Sequence, residues 1–265
     1  MDPTGVLLSG PEVLLLIRLS SQGTVIHEAF DSMGAIQIVD YRKHRVLRFD
    51  SLFEQSKIDL KRPWLPVHEY NRAMMLPVAF AKPAHVTVLG LGGGVMVSGL
   101  HHLLPECQLH AVELRREVLE VAREFFSLPQ STRVRVTIAD ARNALEQMEE
   151  GGTDLILADM YGADRMSPAQ AQRRFLKQCT RALSPAGWLA INYHRPPDPD
   201  GTLFRQLRGQ FSVLLKFTSR SNNTVLFASR QPFESLHPRD PLLDSLEAQL
   251  PIGWRHLMAK VERLS

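Results

Sequence analysis

The sequence has little cysteine and no long apolar run. Its two cysteines, Cys107 and Cys179, lie far apart and belong to no metal-binding or redox motif, which argues against a disulfide scaffold and a structural metal site. We therefore expect free thiols, no metal and a cytoplasmic location. The short apolar run Val13 to Ile17 follows no basic leader and falls well below the roughly 20 residues that span a bilayer, so we expect no membrane partner.

Concentrated positive charge is also missing. The formal net charge is +3, and the arginines are scattered rather than gathered into a basic stripe with interleaved aromatic residues. A nucleic-acid partner is therefore not expected. The hydrophobic content of 44% and the charged content of 22% are those of an ordinary globular protein. A chain of 265 residues suits one large domain, alone or with a small appendage.

The first part of the chain has the pattern of β-structure. The stretch "AIQIVDYRKHRVLRFD" contains two alternating runs around the polar residues Arg42, Lys43 and His44, which predicts a hairpin. The apolar spacing then changes, and Glu69 to Phe80 is predicted to be helical. Pro77 lies inside this segment and should bend or break the helix.

From Ala84 onward, strand patterns alternate with helix patterns. This alternation predicts βαβ units, and hence a parallel sheet covered by helices on both faces. The last two strands differ, because only Ser219 to Asn223 joins them and parallel neighbours need a crossover of about a dozen residues or more. That pair must be antiparallel. The predicted fold is an α/β, doubly wound, mostly parallel sheet with an antiparallel last strand, similar to class I methyltransferases, together with a small β-rich N-terminal domain.

A glycine loop follows the first strand of the predicted parallel sheet. In "VTVLGLGGGVM", Gly90, Gly92, Gly93 and Gly94 come directly after the apolar run. Glycine permits positive φ and close approach of a ligand to the backbone, and the next helix would direct its free N–H groups at that ligand. The pattern G-x-G-x-x-G fails at Val95, so the loop alone is compatible with a nucleotide-like ligand or with a tight structural turn.

Acidic residues end the next three predicted strands. Glu113 stands about twenty residues after the loop, where a carboxylate accepts both hydroxyls of an adenosine ribose. Asp140, followed by Ala141, ends the third strand beside the expected adenine edge, and Asp159 ends the fourth. Each acid could instead cap a helix. Three in succession behind a glycine loop favour a binding crevice, and the terminal hairpin favours an S-adenosyl compound over a nicotinamide dinucleotide.

These motifs resemble the spermidine synthases, or polyamine aminopropyltransferases, over residues 25 to 230. "RVLRFDSLFEQS" is similar to the family's two-strand segment ending in a glutamine, here Gln55, and "VHEYNRAMML" is similar to its helix start with His68 and Glu69. The stretches "VLGLGGG", "VELRREVLEVAREFF", "IADARNAL" and "DLILADMYG" resemble its successive cofactor motifs. "ALSPAGWLAINYH" resembles its fifth strand.

The resemblance implies a donor, an acceptor and a set of roles. The co-substrate would be S-adenosylmethionine or decarboxylated S-adenosylmethionine, the partner a small-molecule amine, and the assembly a homodimer formed through the N-terminal strands. Asp159 would accept the proton of the attacking amine. Donor-binding roles would fall to Gln55, Gly90, Gly92, Glu113, Asp140 and Ala141. Acceptor-binding roles would fall to His68, Tyr161 and Asp164, although His68 and Tyr161 could also be packing residues.

The sequence departs from the family at three positions. Gly93 and Gly162 occupy the places of two acids that the family uses toward amino groups, and Met33 stands where a glutamine is expected. Only Asp164 or Glu69 could replace a lost acid. We therefore expect little activity with putrescine, and an acceptor with fewer or differently placed charges.

Three functions remain open at this point. The first is transfer of an aminopropyl group to an amine, the second is methyl transfer from S-adenosylmethionine, and the third is binding of an adenosyl ligand without catalysis. The predicted organisation has four parts: an N-terminal extension over 1–21, a β-rich domain over 22–66, a Rossmann-like adenosyl-ligand-binding catalytic domain over 67–235, and a C-terminal helical tail over 236–265 that Pro251 interrupts.

Overall fold

Two β-sheets form the framework of the computed structural model, which describes residues 23–50, 54–162, 167, 170, 172–194, 198, 200–233 and 236–264. The smaller sheet is an antiparallel meander in chain order. Its strands are β1 (Thr24–Asp31), β2 (Gly34–Asp40), β3 (His44–Arg48) and β4 (Glu54–Asp59). The hairpin predicted around residues 42–44 is the β2–β3 pair. The predicted N-terminal extension lies outside the described residues.

The larger sheet has eight strands in the order β12-β10-β11-β9-β8-β5-β6-β7. The strands are β5 (His85–Leu89), β6 (Gln108–Glu113), β7 (Val134–Ile138), β8 (Thr153–Ala158), β9 (Leu183–Tyr193), β10 (Val213–Thr218), β11 (Thr224–Ser229) and β12 (Glu262–Arg263). Strands β7, β6, β5, β8 and β9 are parallel, while β11 pairs antiparallel with both β9 and β10. The predicted methyltransferase-like sheet with an antiparallel hairpin strand is therefore confirmed. The edge strand β12 was not predicted, because two residues carry no periodicity.

Helices cover both faces of the larger sheet. They are α1 (Glu69–Met74), α2 (Pro77–Ala81), α3 (Val95–Leu103), α4 (Arg116–Phe125), α5 (Ala141–Gln147), α6 (Arg173–Ala182), α7 (Thr202–Gln210), α8 (Pro241–Gln249) and α9 (Trp254–Met258). One buried cluster lies under α2, α3, α8 and α9, and another under α5, α6 and α7. Pro77 occupies the first turn of α2, where its missing N–H costs nothing. It divides the predicted helix over Glu69–Phe80 into two short helices, as the sequence indicated.

The two sheets are joined through α4. Ile36, Ile38 and Leu47 of the smaller sheet pack against Val118 and Phe126, and all of these side chains are fully buried. Just before α4, the Arg115 guanidinium donates to both carboxylate oxygens of Asp31 at 2.7 and 2.9 Å and to the Gly34 carbonyl at 2.8 Å. Within the described part of the chain, no helix is long and apolar enough to cross a bilayer.

Candidate functional site

A cavity of about 910 Å³ lies where the parallel strands end and the smaller sheet meets them. The order β6-β5-β8 places the switch point of the sheet at β5, and ligands of open α/β sheets bind beyond the carboxyl ends of strands at such a point. Nine residues singled out from the sequence line this one cavity: Gln55, His68, Gly90, Gly92, Glu113, Asp140, Ala141, Asp159 and Tyr161. Asp164, the tenth, lies outside the described residues.

The glycine loop fits tightly against the neighbouring strand ends. Gly90 has φ +90°, and a Cβ there would lie 2.3 Å from the carbonyl oxygen of Asp159. Gly92 has φ +52°, and its Cβ would lie 2.6 Å from the Ser56 hydroxyl. Only glycine combines these conformations with this proximity. The loop backbone therefore forms a cavity wall without side chains of its own at these positions.

The surroundings of Gly93 explain why this position of the glycine loop carries no acidic side chain. A Cβ on Gly93 would approach Cδ1 of Phe126 at 2.7 Å and Cβ of Ser56 at 3.0 Å. The Gly93 N–H already donates to the Ser56 hydroxyl at 2.8 Å. The space that an aspartate or glutamate would need at position 93 is thus occupied by two other side chains, and the departure from the family pattern involves more than one residue.

Glu113 sits at the tip of β6 with its carboxylate turned under the glycine loop. Its Oε2 accepts from the Leu91 N–H at 2.9 Å and its Oε1 accepts from the Arg115 N–H at 2.9 Å, and the residue is 8% exposed. A carboxylate has about four lone-pair positions, so capacity remains on the cavity side for ribose hydroxyls. Glu113 therefore holds the loop in place while lining the cavity.

Asp140 fulfils the capping role and lines the cavity as well. It is the N-cap of α5, where its carboxylate accepts from the Arg142 N–H at 2.8 Å. The Arg142 guanidinium binds the same carboxylate at 2.7 Å and, with this backbone bond, holds the pKa of Asp140 below its usual range. Ala141 begins α5 with no bulk beyond its methyl group, which leaves the adjacent wall smooth.

Asp159 follows β8 directly and is the acid with the most unusual environment. Burial raises its pKa to about 6, although the Asn192 and Asn71 side chains both donate to the carboxylate and thereby favour its charged form. The Asn192 Nδ2 to Asp159 Oδ1 distance is 2.8 Å. The group is therefore ionised at neutral pH and fixed in orientation, as a proton acceptor for an amine must be.

The amide residues around Asp159 were not found by sequence reasoning. Asn192 is 1% exposed and Asn71 is 6% exposed. Asn192 also accepts a hydrogen bond from Asn223 Nδ2 at 3.2 Å, so the turn between β10 and β11 is linked to the acid. The available signal was Asn192 itself, a polar residue within the apolar strand pattern "LAINY", since a buried amide needs partners.

Aromatic and imidazole rings form the wall next to Asp159. The His68 ring stacks on the Tyr70 ring with centroids 5.7 Å apart. Burial lowers the pKa of His68, which keeps the imidazole neutral at pH 7, and burial raises the pKa of Tyr70 and of Tyr161, which keeps both phenols protonated. The Tyr161 hydroxyl donates to the Asn192 carbonyl at 3.2 Å. This wall offers ring faces and few charges.

The smaller sheet closes the cavity from the opposite side. Gln55 on β4 donates its side-chain amide to the Gly162 carbonyl at 3.2 Å, so β4 touches the loop that follows β8. Glu54, the neighbouring residue, places its carboxylate in the same cavity. Sequence reasoning did not single out Glu54, because nothing in the local pattern shows which side of a short strand faces a distant loop.

Glu69 does not have the role considered for it from the sequence. Its carboxylate accepts from the Arg220 N–H at 2.7 Å and pairs with the Lys260 ammonium at 3.0 Å. It lies outside the cavity lining and ties α1 to the β10–β11 turn and to the C-terminal segment. Glu69 therefore cannot replace an acid lost at Gly93 or Gly162. In the described residues no group of three metal-ligating side chains occurs.

Comparison with known proteins agrees with this architecture. Residues 86–187 match a family described as "Methyltransferase domain". A polyamine aminopropyltransferase from Chromobacterium violaceum is 32% identical over 170 residues, which cover 63% of this chain and 65% of that protein. The chain thus spans less than two thirds of the length of that relative.

Two solved structures are similar as well. A probable spermidine synthase from Corynebacterium glutamicum superposes with a TM-score of 0.72 at 20% identity, covering 85% of this chain and 87% of that one. Human Methyltransferase-like protein 13 in complex with SAH gives a TM-score of 0.59 at 26% identity, covering 71% of this chain and 92% of that one. The sheet order and the added N-terminal sheet give the chain a methyltransferase-like α/β fold, and these similarities are to spermidine synthase-like transferases.

Proposed function

We propose that the protein transfers an aminopropyl group from decarboxylated S-adenosylmethionine to an amine other than putrescine. The observation that carries this proposal is Asp159, a carboxylate held by two amide side chains in the cavity beside the glycine loop. A base at this place suits alkylation of an amine, by an aminopropyl or a methyl group, whereas simple adenosyl binding does not need one.

The donor side of the cavity suits an adenosyl group. Glu113 would accept the ribose hydroxyls, Asp140 and Ala141 would border the adenine, and the Gly90 and Gly92 backbone would allow close approach. Gln55 would close over the ligand from β4. A volume of about 910 Å³ lies within the range of sites that enclose a ligand of this size together with a small acceptor.

The chemistry determines what the acceptor side must do. A carbon–nitrogen bond forms at the carbon next to the sulfonium while the carbon–sulfur bond breaks, and the thioether leaves without needing a proton. The attacking amine is almost wholly protonated at neutral pH, because alkyl ammonium pKa values lie near about 10. Asp159 can hold that cation and take its proton, and its neighbours Asn71 and Asn192 keep the carboxylate charged.

The charges around the cavity favour the decarboxylated donor. Among the described lining residues, Glu54 and Asp159 carry carboxylates on the proposed acceptor side, Glu54 in an ion pair with Lys57, while the Arg115 and Arg142 guanidinium groups are paired with Asp31 and Asp140. A donor that kept its own carboxylate would meet like charges there. A donor with only an ammonium group would be attracted.

Methyl transfer from intact S-adenosylmethionine is the second candidate. The glycines at 93 and 162 favour it, because methylation depends mainly on orientation and tolerates the loss of acids that hold amino groups. The similarity to the human methyltransferase structure points the same way.

Mass spectrometry distinguishes the candidates. Purified protein would be incubated with a pool of amines and either donor, and the products would be analysed for an added aminopropyl or methyl group. An aminopropyl adduct that forms only with the decarboxylated donor is the expected result. A methyl adduct would establish the second candidate. Calorimetric binding of NAD without binding of methylthioadenosine or either sulfonium donor would refute both.

A further inference from the structure

The turn between β10 and β11 begins a directed chain of hydrogen bonds that ends at Asp159. The Ser221 hydroxyl donates to Oδ1 of Asn223 at 2.9 Å, and Asn223 Nδ2 donates to Oδ1 of Asn192 at 3.2 Å. Asn192 Nδ2 then donates to the Asp159 carboxylate at 2.8 Å. In each bond the donor lies on the side of the turn and the acceptor on the side of the acid. The chain therefore directs the positive end of an amide dipole at the carboxylate.

The orientation of the Asn192 amide depends on the group that lies beyond it. An asparagine side chain ends in a carbonyl oxygen on one side and an NH2 group on the other, and a half-turn exchanges them. Asn192 is 1% exposed, so bulk water does not satisfy either end. Because Asn223 offers a donor, the oxygen faces the turn and the NH2 group faces Asp159. An acceptor in the turn would reverse the amide and bring its oxygen to the carboxylate.

The turn that carries Asn223 is itself held in place. The Ser219 N–H donates to the Asn223 carbonyl at 2.8 Å, and the Asn223 N–H donates to the Ser219 hydroxyl at 3.1 Å. The Arg220 N–H donates to the Glu69 carboxylate at 2.7 Å, and Glu69 in turn pairs with Lys260 at 3.0 Å. The Asn223 side chain therefore projects from a support that is anchored to α1 and to the C-terminal segment.

We propose that Asn223 is a positioning residue, which holds the Asn192 amide with its NH2 group directed at Asp159. It acts on the acid through Asn192 rather than through a bound ligand. The inference rests on the proposed function for its effect on the reaction, in which Asp159 takes the proton. Its consequence is that the β10–β11 turn controls the pH at which the base becomes available.

The other titratable side chains on this side of the cavity leave the control of Asp159 to its amide donors. They are Glu54 from β4, His68 and Tyr70 around the start of α1, Tyr161 after β8 and His194 after β9. Burial raises the pKa of both phenols, which are therefore neutral where Asp159 titrates, and burial lowers the pKa of His68. Glu54 is in an ion pair with Lys57. The Asp159 carboxyl is thus governed by burial and by two amides, one of which the turn orients.

Exchanging the donor in the turn for an acceptor tests the proposal directly. Asn223→Asp offers only acceptors, so the Asn192 amide should reverse and the pKa of Asp159 should rise by at least about one pH unit. Asn222→Asp adds the same charge at the neighbouring exposed position and should raise that pKa by less than about 0.3, because exposed charges interact weakly in water. The pKa is measured by carbon-13 NMR on the intact protein labelled at its aspartate carboxyl groups, and Asp159→Asn identifies the signal.

A double-mutant cycle separates positioning from a general structural effect. Asn223→Ala should raise the pKa of Asp159 by about 0.5, since the Asn192 amide loses its orienting donor but gains no acceptor. In an Asn192→Ala background, the same change should have no further effect, because the intermediary is gone. Circular dichroism shows that each variant is folded.

Three results would overturn the inference: an unchanged Asp159 pKa in Asn223→Asp, an equal rise in Asn222→Asp, or additive effects of Asn223→Ala and Asn192→Ala. If Asn223→Asp does not fold, an unchanged pKa in Asn223→Ala has the same meaning. Failure of the proposed function is a separate result, namely absence of aminopropyl transfer, and the NMR titration needs neither donor nor acceptor. Where transfer occurs, the pH at which the rate rises should move by the same amount as the pKa.

Discussion

Asp159 is subject to two opposing influences, burial that disfavours its charge and amide donors that favour it. Asp159→Asn keeps the shape and the hydrogen bond from Asn192 but removes the base. We expect turnover to fall by about 10²- to 10⁴-fold, as is typical for loss of a general base, while donor affinity stays nearly unchanged. Steady-state kinetics and donor calorimetry on the same preparation test this. Full turnover by the variant would reduce Asp159 to a packing residue.

The pH dependence of the rate follows from the same carboxyl group. A base must be deprotonated, and the pKa of Asp159 is raised to about 6 by burial. The rate should therefore be low near pH 5, rise through pH 6 and level off above it. Asn192→Ala removes a donor to the charged form, so the rise should move to higher pH. A profile that stays in place in Asn192→Ala would show that the amide does not act on the acid.

Glu113 provides a test of donor recognition. Glu113→Gln retains the side-chain volume and one carbonyl oxygen, yet it loses the charge-assisted hydrogen bonds to ribose. We expect methylthioadenosine to bind more weakly by about 1.5 to 3 kcal/mol, measured by calorimetry. Glu120→Gln, on the exposed side of α4, serves as the matched control and should bind as the unaltered protein does. Equal affinities in both variants would contradict the ribose role.

At the scale of elements, the Arg115–Asp31 ion pair holds the smaller sheet to α4. The two side chains are only 6% and 12% exposed, and Arg115 also lies 4.5 Å above the Phe49 ring. Arg115→Met keeps a side chain of similar length over the Phe49 ring but leaves the Asp31 carboxylate without an ionic partner. The free energy of unfolding should therefore fall by about 3 kcal/mol. Urea unfolding measures this, with Arg116→Met on the exposed surface as the control. Similar losses in both variants would show that the pair contributes nothing specific.

Low pH should weaken the ion pair between Arg115 and Asp31. The guanidinium of Arg115 lowers the pKa of Asp31, so the carboxylate is more readily ionised in the folded state than in the unfolded chain. This contribution is complete above the ordinary carboxyl pKa and is lost as the pH falls through the lowered value. The unfolding deficit of Arg115→Met should therefore shrink in strongly acidic solution.

The sequence predicted elements better than the contacts between them. Connection length alone showed that β10 and β11 must be antiparallel, and Pro77 divided the helix where expected. Glu69 was considered as a replacement for a lost acid, but it accepts a hydrogen bond from the Arg220 N–H, 151 residues further along the chain. Such a partner is fixed only when the whole sheet has formed.

At the site, the sequence predicted the acids at the strand ends but not the residues that surround them. The three acids after β6, β7 and β8 converge because parallel strands end at one edge. The two amides that donate to Asp159 come from α1 and β9, and an amide of the β10–β11 turn donates to the second of them. No local pattern links these three segments, so Asn71, Asn192 and Asn223 were missed. Asp140 both caps a helix and lines the cavity, whereas the sequence analysis treated these two roles as alternatives.

For the whole molecule, the central prediction concerns the acceptor. Gly93 and Gly162 stand where the resemblance implies acids directed toward amino groups, and the two carboxylates on the proposed acceptor side, Glu54 and Asp159, come from different sheets. Putrescine should therefore be a poor acceptor compared with a diamine of another length. An aminopropyl-transfer assay over mono-, di- and triamines tests this. Putrescine turnover on the order of 1 s⁻¹ or more, an ordinary enzymatic rate, would contradict it.

The contact between Gln55 and Gly162 shows that the smaller sheet and the larger sheet each form one wall of the cavity. The donor half is built from strand ends that also support the core, where a change such as a side chain at Gly90 would disturb the backbone of Asp159. The acceptor half draws on β4, a short strand of the peripheral sheet. Mutations at Glu54 can alter which amine is chosen while the strand ends of the donor half stay intact, so substrate preference can drift during evolution without loss of the fold.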